Sequence, residues 1–129
     1  MLKLAEIMSA HVVTTQPQTS VAEVAKTMVK GRIGSAVVMQ GALATGIVTE
    51  RDILRAAASG TDLTRSPVSR WMTNHPETAA PDLDAEQAAE IMLSGGFRHL
   101  PVVEGSNLVG IVSLRDVLST RIRQQSTPE

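Results

Sequence analysis

Two short stretches of the chain carry the same set of chemically useful side chains. The first is Thr49-Glu50-Arg51-Asp52, and the second, 64 positions later, is Ser113-Leu114-Arg115-Asp116. Each follows an apolar run that is typical of a strand. A strand-to-helix turn exposes backbone N–H groups at the positive end of a helix dipole, which favours an anion. An aspartate beside that turn can accept hydrogen bonds from both hydroxyls of a ribose. Together these features indicate nucleotide binding.

A purely structural interpretation of the same residues stays open. Thr or Ser, followed three residues later by an acid, is also the pattern of a helix N-cap. Two observations favour a ligand. An arginine in the first turn of a helix opposes the dipole unless an anion lies nearby, and Arg51 and Arg115 both stand there. The whole pattern also occurs twice at one offset.

The repeat extends far beyond these turns. Residues 7–54 align with residues 71–118 without a gap, and 15 of the 48 positions are identical. A fixed offset is the mark of duplicated architecture. Two copies only are present, which predicts a tandem pair, with repeats at 1–62 and 63–124 and a polar tail at 125–129.

Each copy has the pattern β-α-β-β-α. Capping residues Ser20 and Asp84 precede helices with apolar positions at i, i+3, i+4, i+7 and i+8, which predicts one buried stripe per helix. Gly31 and the pair Gly95-Gly96 are predicted to end these helices. A hairpin and a second helix follow, and 59–67 is predicted to be a linker. A unit of about 60 residues buries little surface alone. We therefore expect an α+β fold in which the copies pack sheet to sheet with pseudo-twofold symmetry.

Composition narrows the function classes. The net charge is −1 and only one Trp and one Phe are present, which argues against nucleic-acid binding by a basic surface or by aromatic stacking. The absence of cysteine excludes disulfides and thiolate chemistry. No run reaches the roughly 18 apolar residues of a membrane span, and the N-terminus lacks a signal-peptide pattern. We expect a cytoplasmic protein without membrane partners.

The tandem β-α-β-β-α copy that ends in G-h-x-[T/S]-x-x-D resembles a pair of CBS domains, also called a Bateman module. Gly46, Thr49 and Asp52 match the motif in the first copy, and Gly110, Ser113 and Asp116 match it in the second. The lead-ins Ile7-Met8-Ser9 and Trp71-Met72-Thr73 also resemble the family. The resemblance covers residues 5–122 and implies a sensor that binds an adenine-bearing ligand in a cleft between the copies.

The resemblance also implies roles for individual residues. Asp52 and Asp116 would hold ribose hydroxyls, and Thr49 and Ser113 would face ribose or phosphate. The remaining ligand-binding candidates are Arg51 and Arg115, the lead-in residues Ser9 and Thr73, the adenine contacts Val12, Thr14 and Ile33 of one site, and Pro76, Thr78 and Phe97 of the other. The implied ligand is AMP, ADP or ATP, or else S-adenosylmethionine or an NAD-type molecule, and no cofactor or metal is required.

The copies differ where the family places a phosphate-binding pair. The second copy has Arg98-His99 and the first has Gly34-Ser35, so we expect two unequal sites. His11 and His75 also recur at the repeat offset, but no third ligand stands at a suitable spacing, and we interpret both as turn residues.

Catalysis is not expected, since neither a nucleophile–base pair nor a phosphate-binding P-loop is visible. The alternative to a sensor is a dimerisation or docking module that has lost its ligand. The small residues Ala56-Ala57-Ala58 would let helices approach closely, and the resemblance implies a homodimer. No effector domain is visible in the sequence, so we expect the signal to pass to a separate protein.

Overall fold

A computed structural model describes residues 1–126 of the chain, with side chains to residue 123. The helices and strands are, in chain order, α1 Leu4–Ile7, β1 Thr14–Thr15, α2 Val21–Gly31, β2 Ser35–Gln40, β3 Leu43–Thr49, α3 Glu50–Ala58, β4 Thr73–Asn74, α4 Ala85–Gly95, β5 His99–Glu104, β6 Asn107–Ser113 and α5 Leu114–Ser126, with a 3-10 turn at Val68–Arg70. The predicted α+β class is confirmed. No helix among the described residues is long and apolar enough to cross a membrane.

The chain forms two compact units. We call Val12–Pro76 the central unit, and Met1–His11 together with the chain from Glu77 onward the split unit. Their division differs from that of the sequence repeats, because the lead-in of each repeat packs into the unit built mainly from the other repeat. Leu4, from the first repeat, is fully buried in the core of the split unit. Met72, from the second repeat, packs against the core of the central unit.

Both units have the same sheet topology. In the central unit the order is β1-β2-β3-β4; β1 is parallel to β2, and the other pairs are antiparallel. In the split unit β5 and β6 form the hairpin. Ala79 bridges Val102 in parallel and Ser9 bridges Ile111 in antiparallel fashion, at the positions that β1 and β4 occupy in the central unit. The duplication in the sequence is therefore a duplication of structure.

The predicted capping residues Ser20 and Asp84 begin α2 and α4. The Oγ of Ser20 accepts from the N–H of Glu23 at 3.1 Å, and the carboxylate of Asp84 accepts from the N–H of Glu86 at 3.4 Å. Val21, Val24 and Met28 then face the core of the central unit. The predicted stripe is narrower than expected, because its last position is exposed in both helices, by 79% at Val29 and 67% at Leu93.

The helix ends differ from prediction in one copy. Gly96 ends α4 in the left-handed region with φ 74°, as glycine favours. In the first copy Gly31 is the last helical residue, and the left-handed position falls to Arg32 with φ 55°. The glycine pattern placed this C-cap one residue early.

The stretch 59–67, predicted to be a linker, is part of the central unit. The carbonyl groups of Leu63 and Ser66 accept from the first N–H groups of α2, those of Ala22 and Val21, each at 2.9 Å. At the other end of the chain, α5 continues to Ser126, so residues 125 and 126 of the predicted tail are helical. Residues 127–129 of that tail lie outside the described residues.

Candidate functional site

The turn between β3 and α3 is closed around a buried aspartate. Oδ2 of Asp52 accepts from the backbone N–H of Thr49 at 2.9 Å and from its hydroxyl at 3.2 Å. Oδ1 accepts from Nη1 of Arg55 at 3.2 Å. The side chain of Asp52 is only 9% exposed. Both carboxylate oxygens of Asp52 therefore have partners within the protein.

The matching turn in the split unit also forms a capping box and differs at the second carboxylate oxygen. The N–H of Ser113 donates to Oδ2 of Asp116 at 2.9 Å, and the N–H of Asp116 donates to the Ser113 hydroxyl at 3.0 Å. This is the reciprocal capping box. Asp116 is half-buried, and no side chain or N–H of the described residues donates to its Oδ1. Both motifs cap a helix, and in the split unit one carboxylate oxygen of Asp116 has no donor among the described residues.

Each turn is tied to the residue just before the first strand of its hairpin. The N–H of Glu50 donates to the Gly34 carbonyl at 3.1 Å, and that of Leu114 donates to the Arg98 carbonyl at 2.9 Å. These bonds use the first N–H of each helix, so these two N–H groups already have acceptors within the protein. Arg51 and Arg115 are both exposed, and neither forms an ion pair with another described residue.

The hairpin register brings the unequal positions 35 and 99 beside the motif hydroxyls. Ser35 pairs with Thr49, and His99 pairs with Ser113. Arg98 is exposed and His99 is half-buried. The hydroxyl of Ser35 is buried and has no hydrogen-bond partner among the described residues. The split unit thus holds a basic pair where the central unit holds a small polar residue.

The residues expected to contact adenine are only partly brought together. Thr14 lies on β1 and pairs with Val37; it lines a pocket of about 240 Å³ with Gln16, Glu23 and Thr27. Asp52, Val12 and Ile33 do not line that pocket, although Val12 and Ile33 are half-buried in the same unit.

The three residues assigned to adenine in the second site fall on both sides of the boundary between the units. Phe97 is half-buried against the core, and Thr78 is exposed beside the Ala79 bridge. Pro76 belongs instead to the end of the central unit.

The lead-ins explain the glycine of the motif. Met72 packs where a Cβ on Gly46 would stand, and Met8 does the same at Gly110. Thr73 pairs with Ile47, and Ser9 bridges Ile111. Both candidates are exposed, and each lies beside the motif-bearing strand of the unit into which its lead-in packs.

Sequence reasoning missed the neighbours of Asp52. The guanidinium carbon of Arg55 lies 5.8 Å from the centroid of the Trp71 ring, within the range of a cation–π interaction. The indole N–H of Trp71 donates to the Ser66 hydroxyl at 3.0 Å. The i,i+3 spacing of Asp52 and Arg55 was a visible signal. The position of Trp71 was not, since it depends on the exchanged lead-in.

A family model for the CBS domain matches twice, at residues 4–59 and 68–122. The chain belongs to the CBS-domain family. The CBS domain-containing protein YhcV of Bacillus subtilis (strain 168) is 32% identical over 127 residues, which are 98% of this chain and 90% of that protein. Both copies of the predicted repeat are therefore CBS domains.

Two solved CBS structures that share this fold contain adenosine ligands. The CBS domain protein PAE2072 from Pyrobaculum aerophilum, complexed with AMP, is 30% identical with a TM-score of 0.83, covering 95% of this chain and 99% of that one. The CBS domain pair of protein MJ0100, in complex with 5′-methylthioadenosine and S-adenosyl-L-methionine, is 25% identical with a TM-score of 0.86, covering 98% of this chain and 99% of that one.

Proposed function

We propose that this protein is a regulatory module that binds an adenosine ligand and passes the signal to a separate protein. The observation that carries the proposal is the pair of Thr/Ser-x-x-Asp turns, held in the same sheet and helix context in a chain of the CBS family. The complexes of PAE2072 with AMP and of MJ0100 with 5′-methylthioadenosine and S-adenosyl-L-methionine support an adenosine ligand.

In the split unit the proposed roles follow from the local geometry. Oδ1 of Asp116 would accept from the ribose hydroxyls while Oδ2 continues to cap the helix. The exposed guanidinium of Arg98 and the imidazole of His99 would face phosphate, since arginine pairs with phosphate oxygens through its planar fork. Phe97 would contact the base. A ligand without phosphate would keep the ribose and base contacts alone.

The central unit offers the same framework with other side chains. Asp52 and Thr49 would face the ribose, and Val12, Thr14 and Ile33 would contact the base. No basic pair stands at positions 34 and 35. We therefore propose that a phosphorylated ligand prefers the split unit. The module carries no recognisable catalytic pair, and we propose regulation, not catalysis, as its role.

Aspartate-to-asparagine substitution tests the proposal. Asparagine also caps helices, so Asp116→Asn and Asp52→Asn should keep the fold and lose the ribose acceptor. We expect AMP, ADP, ATP, NAD or S-adenosylmethionine to raise the Tm of the wild-type protein, GMP not to raise it, and the double variant not to respond. A ligand at 100 times its Kd stabilises by about 2.7 kcal/mol. If none of these ligands shifts the Tm, the proposal is wrong.

A docking module without a ligand is the second candidate. It is favoured by the capping role of both aspartates and by the use of both Asp52 oxygens within the protein. In that case the double variant should be as stable as wild type and should capture its partner equally well. A protein partner that binds wild type with or without AMP would support this candidate.

We also propose a homodimer formed through the helices. Exposed apolar side chains recur at matched positions in the two units, with Val29 and Leu93 on the first helices and Leu54 and Leu118 on the second. Clustered exposed apolar residues mark interaction surfaces. Multi-angle light scattering of the wild-type protein should give twice the mass of one chain. The double variant Leu54→Glu, Leu118→Glu should give the mass of a single chain. Leu43→Glu, an exposed hairpin position, is the control.

A further inference from the structure

We propose that Arg55 makes the central unit the weaker of two ligand sites by occupying the aspartate oxygen that a ribose would need. This inference rests on the proposed function. It concerns a residue outside the recognised motif and assigns it a role in setting the order in which the two sites fill.

Both carboxylate oxygens of Asp52 accept hydrogen bonds from the protein. Oδ2 is held by Thr49 from two sides, and Oδ1 accepts from Arg55 at 3.2 Å. A carboxylate oxygen can accept two hydrogen bonds, but the Asp52 side chain is only 9% exposed, and we therefore infer that a ribose hydroxyl reaches Oδ1 by displacing the Arg55 guanidinium. Ligand binding in the central unit therefore includes the loss of this ion pair.

Two groups hold Arg55 in place. The Arg55 side chain is 61% exposed, and an exposed ion pair alone contributes little. Its guanidinium carbon also lies 5.8 Å from the centroid of the Trp71 ring, and stacking of this kind adds to the attraction. Trp71 is itself fixed by the hydrogen bond from its indole N–H to Ser66 at 3.0 Å. Arg55 is therefore held both by the Asp52 carboxylate and by the Trp71 ring, and the ring is itself fixed by Ser66.

The split unit lacks counterparts of Arg55 and Trp71. Ser119 stands at the position matched to Arg55, and Ile7 at the position matched to Trp71. Neither can provide a guanidinium or an indole. Oδ1 of Asp116 accordingly has no donor among the described residues, so none of these residues would have to move for a ribose to bind there. The split unit should fill first.

The chain carries its own reporter for this order. Trp71 is the one tryptophan of the sequence and lies in the central unit beside Arg55. Displacing the guanidinium from the indole should change its fluorescence, whereas binding in the split unit should leave the Asp52–Arg55–Trp71 contacts as they are. Calorimetry counts all binding, and fluorescence reports the central unit.

The experiment titrates the full chain with 5′-methylthioadenosine and, separately, with AMP. 5′-Methylthioadenosine lacks a phosphate, so the attraction of Arg55 for phosphate does not enter. We expect two phases of heat whose Kd values differ about tenfold, a difference of about 1.4 kcal/mol. The fluorescence change should follow only the weaker phase. Asp116→Asn should remove the tight phase, and Asp52→Asn the weak one.

Two reciprocal variants decide the role of Arg55. Arg55→Met keeps the length of the side chain and removes its donors, and it should tighten the weak phase about tenfold. Ser119→Arg places the guanidinium three residues after Asp116 and should weaken the tight phase. Arg65→Met is the control, since Arg65 is exposed and pairs with Asp62 at 3.8 Å; it should change neither phase.

Different results would overturn the role of Arg55 and the proposed ligand binding. Two equal phases in wild type, or an Arg55→Met protein whose weak phase is unchanged or weaker, would overturn the role of Arg55 while leaving ligand binding intact. No heat with either compound, in wild type and in Arg55→Met, would overturn the proposed function and the inference with it. Should Ser119→Arg fail to fold, Arg55→Met still decides.

Discussion

Glycine-to-alanine substitution should stabilise the protein at the end of α2 and destabilise it at the end of α4. Gly31 and Gly95 are matched positions, and both are the last residue of a helix. A Cβ on Gly31 would lie 3.6 Å from Cδ1 of Ile33, an ordinary contact, whereas a Cβ on Gly95 would overlap the ring of Phe97. Gly95→Ala must therefore displace that ring, and Gly31→Ala displaces nothing.

The magnitudes follow from two terms. Replacing a helical glycine by alanine stabilises by about 0.5–1 kcal/mol. Forcing a packed side chain to move costs about 1–3 kcal/mol. Gly31→Ala should therefore gain about 0.5–1 kcal/mol, and Gly95→Ala should lose between about 0 and 2.5 kcal/mol. At about 4 °C per kcal/mol for a chain of this size, the two Tm values should separate by several degrees.

Urea denaturation and thermal melts of the two single variants measure this difference. The m-value should stay constant, so that a shift of the midpoint reports stability. A second readout is AMP affinity, which Gly95→Ala should reduce if Phe97 contacts the base, while Gly31→Ala should leave the split unit unchanged. Equal stabilisation by both substitutions would refute the reasoning, since it would show that Phe97 moves aside without cost.

Three further predictions concern Gly110, Ser35 and Asp62. Gly110→Ala should destabilise by about 1–3 kcal/mol, and by more than Gly46→Ala, because its methyl group would meet a backbone carbonyl oxygen as well as a methionine sulfur; urea melts of the pair give the order. Ser35→Ala should stabilise by about 1 kcal/mol, because it removes a buried hydroxyl that has no partner among the described residues; a loss of stability would mean that the hydroxyl is satisfied. The Thr64 hydroxyl and then its N–H lower the pKa of the Asp62 carboxyl. Any stability this gives is present above the ordinary pKa and is lost as the pH falls through the folded value. A ¹³C NMR titration should show the lowered pKa, and Thr64→Val should bring it toward normal.

The sequence predicted the elements because their signals are local. Capping residues, helical periodicity and the hairpin turn each lie within a few residues of the structure that they specify. The motif aspartates were also found from spacing alone, because an N-cap and its partner are three residues apart. The fixed offset then transferred each assignment from one copy to the other.

What the sequence did not reveal depends on contacts between distant residues. The lead-ins around Met8 and Met72 align within their own repeats, yet each packs into the unit formed mainly by the other, and sequence similarity cannot distinguish these two arrangements. The contact between Arg55 and Trp71 follows from that exchange. The left-handed conformation at Arg32 was missed because an adjacent glycine matched the usual C-cap pattern.

The exchange of lead-ins has a consequence for synthesis on the ribosome. The central unit is one continuous stretch, Val12–Pro76, and its sheet is complete once Asn74 has left the exit tunnel. Met1–His11 emerges before the central unit, but Ile111, which bridges Ser9, and Leu100, which belongs to the same core as Leu4, are made about a hundred residues later. Because domains fold as units during synthesis, the central unit can fold while Leu4 still lacks the core residues that bury it. Met1–His11 can therefore pack only after β5 and β6 have been made, which links the burial of Leu4 to the synthesis of the second repeat.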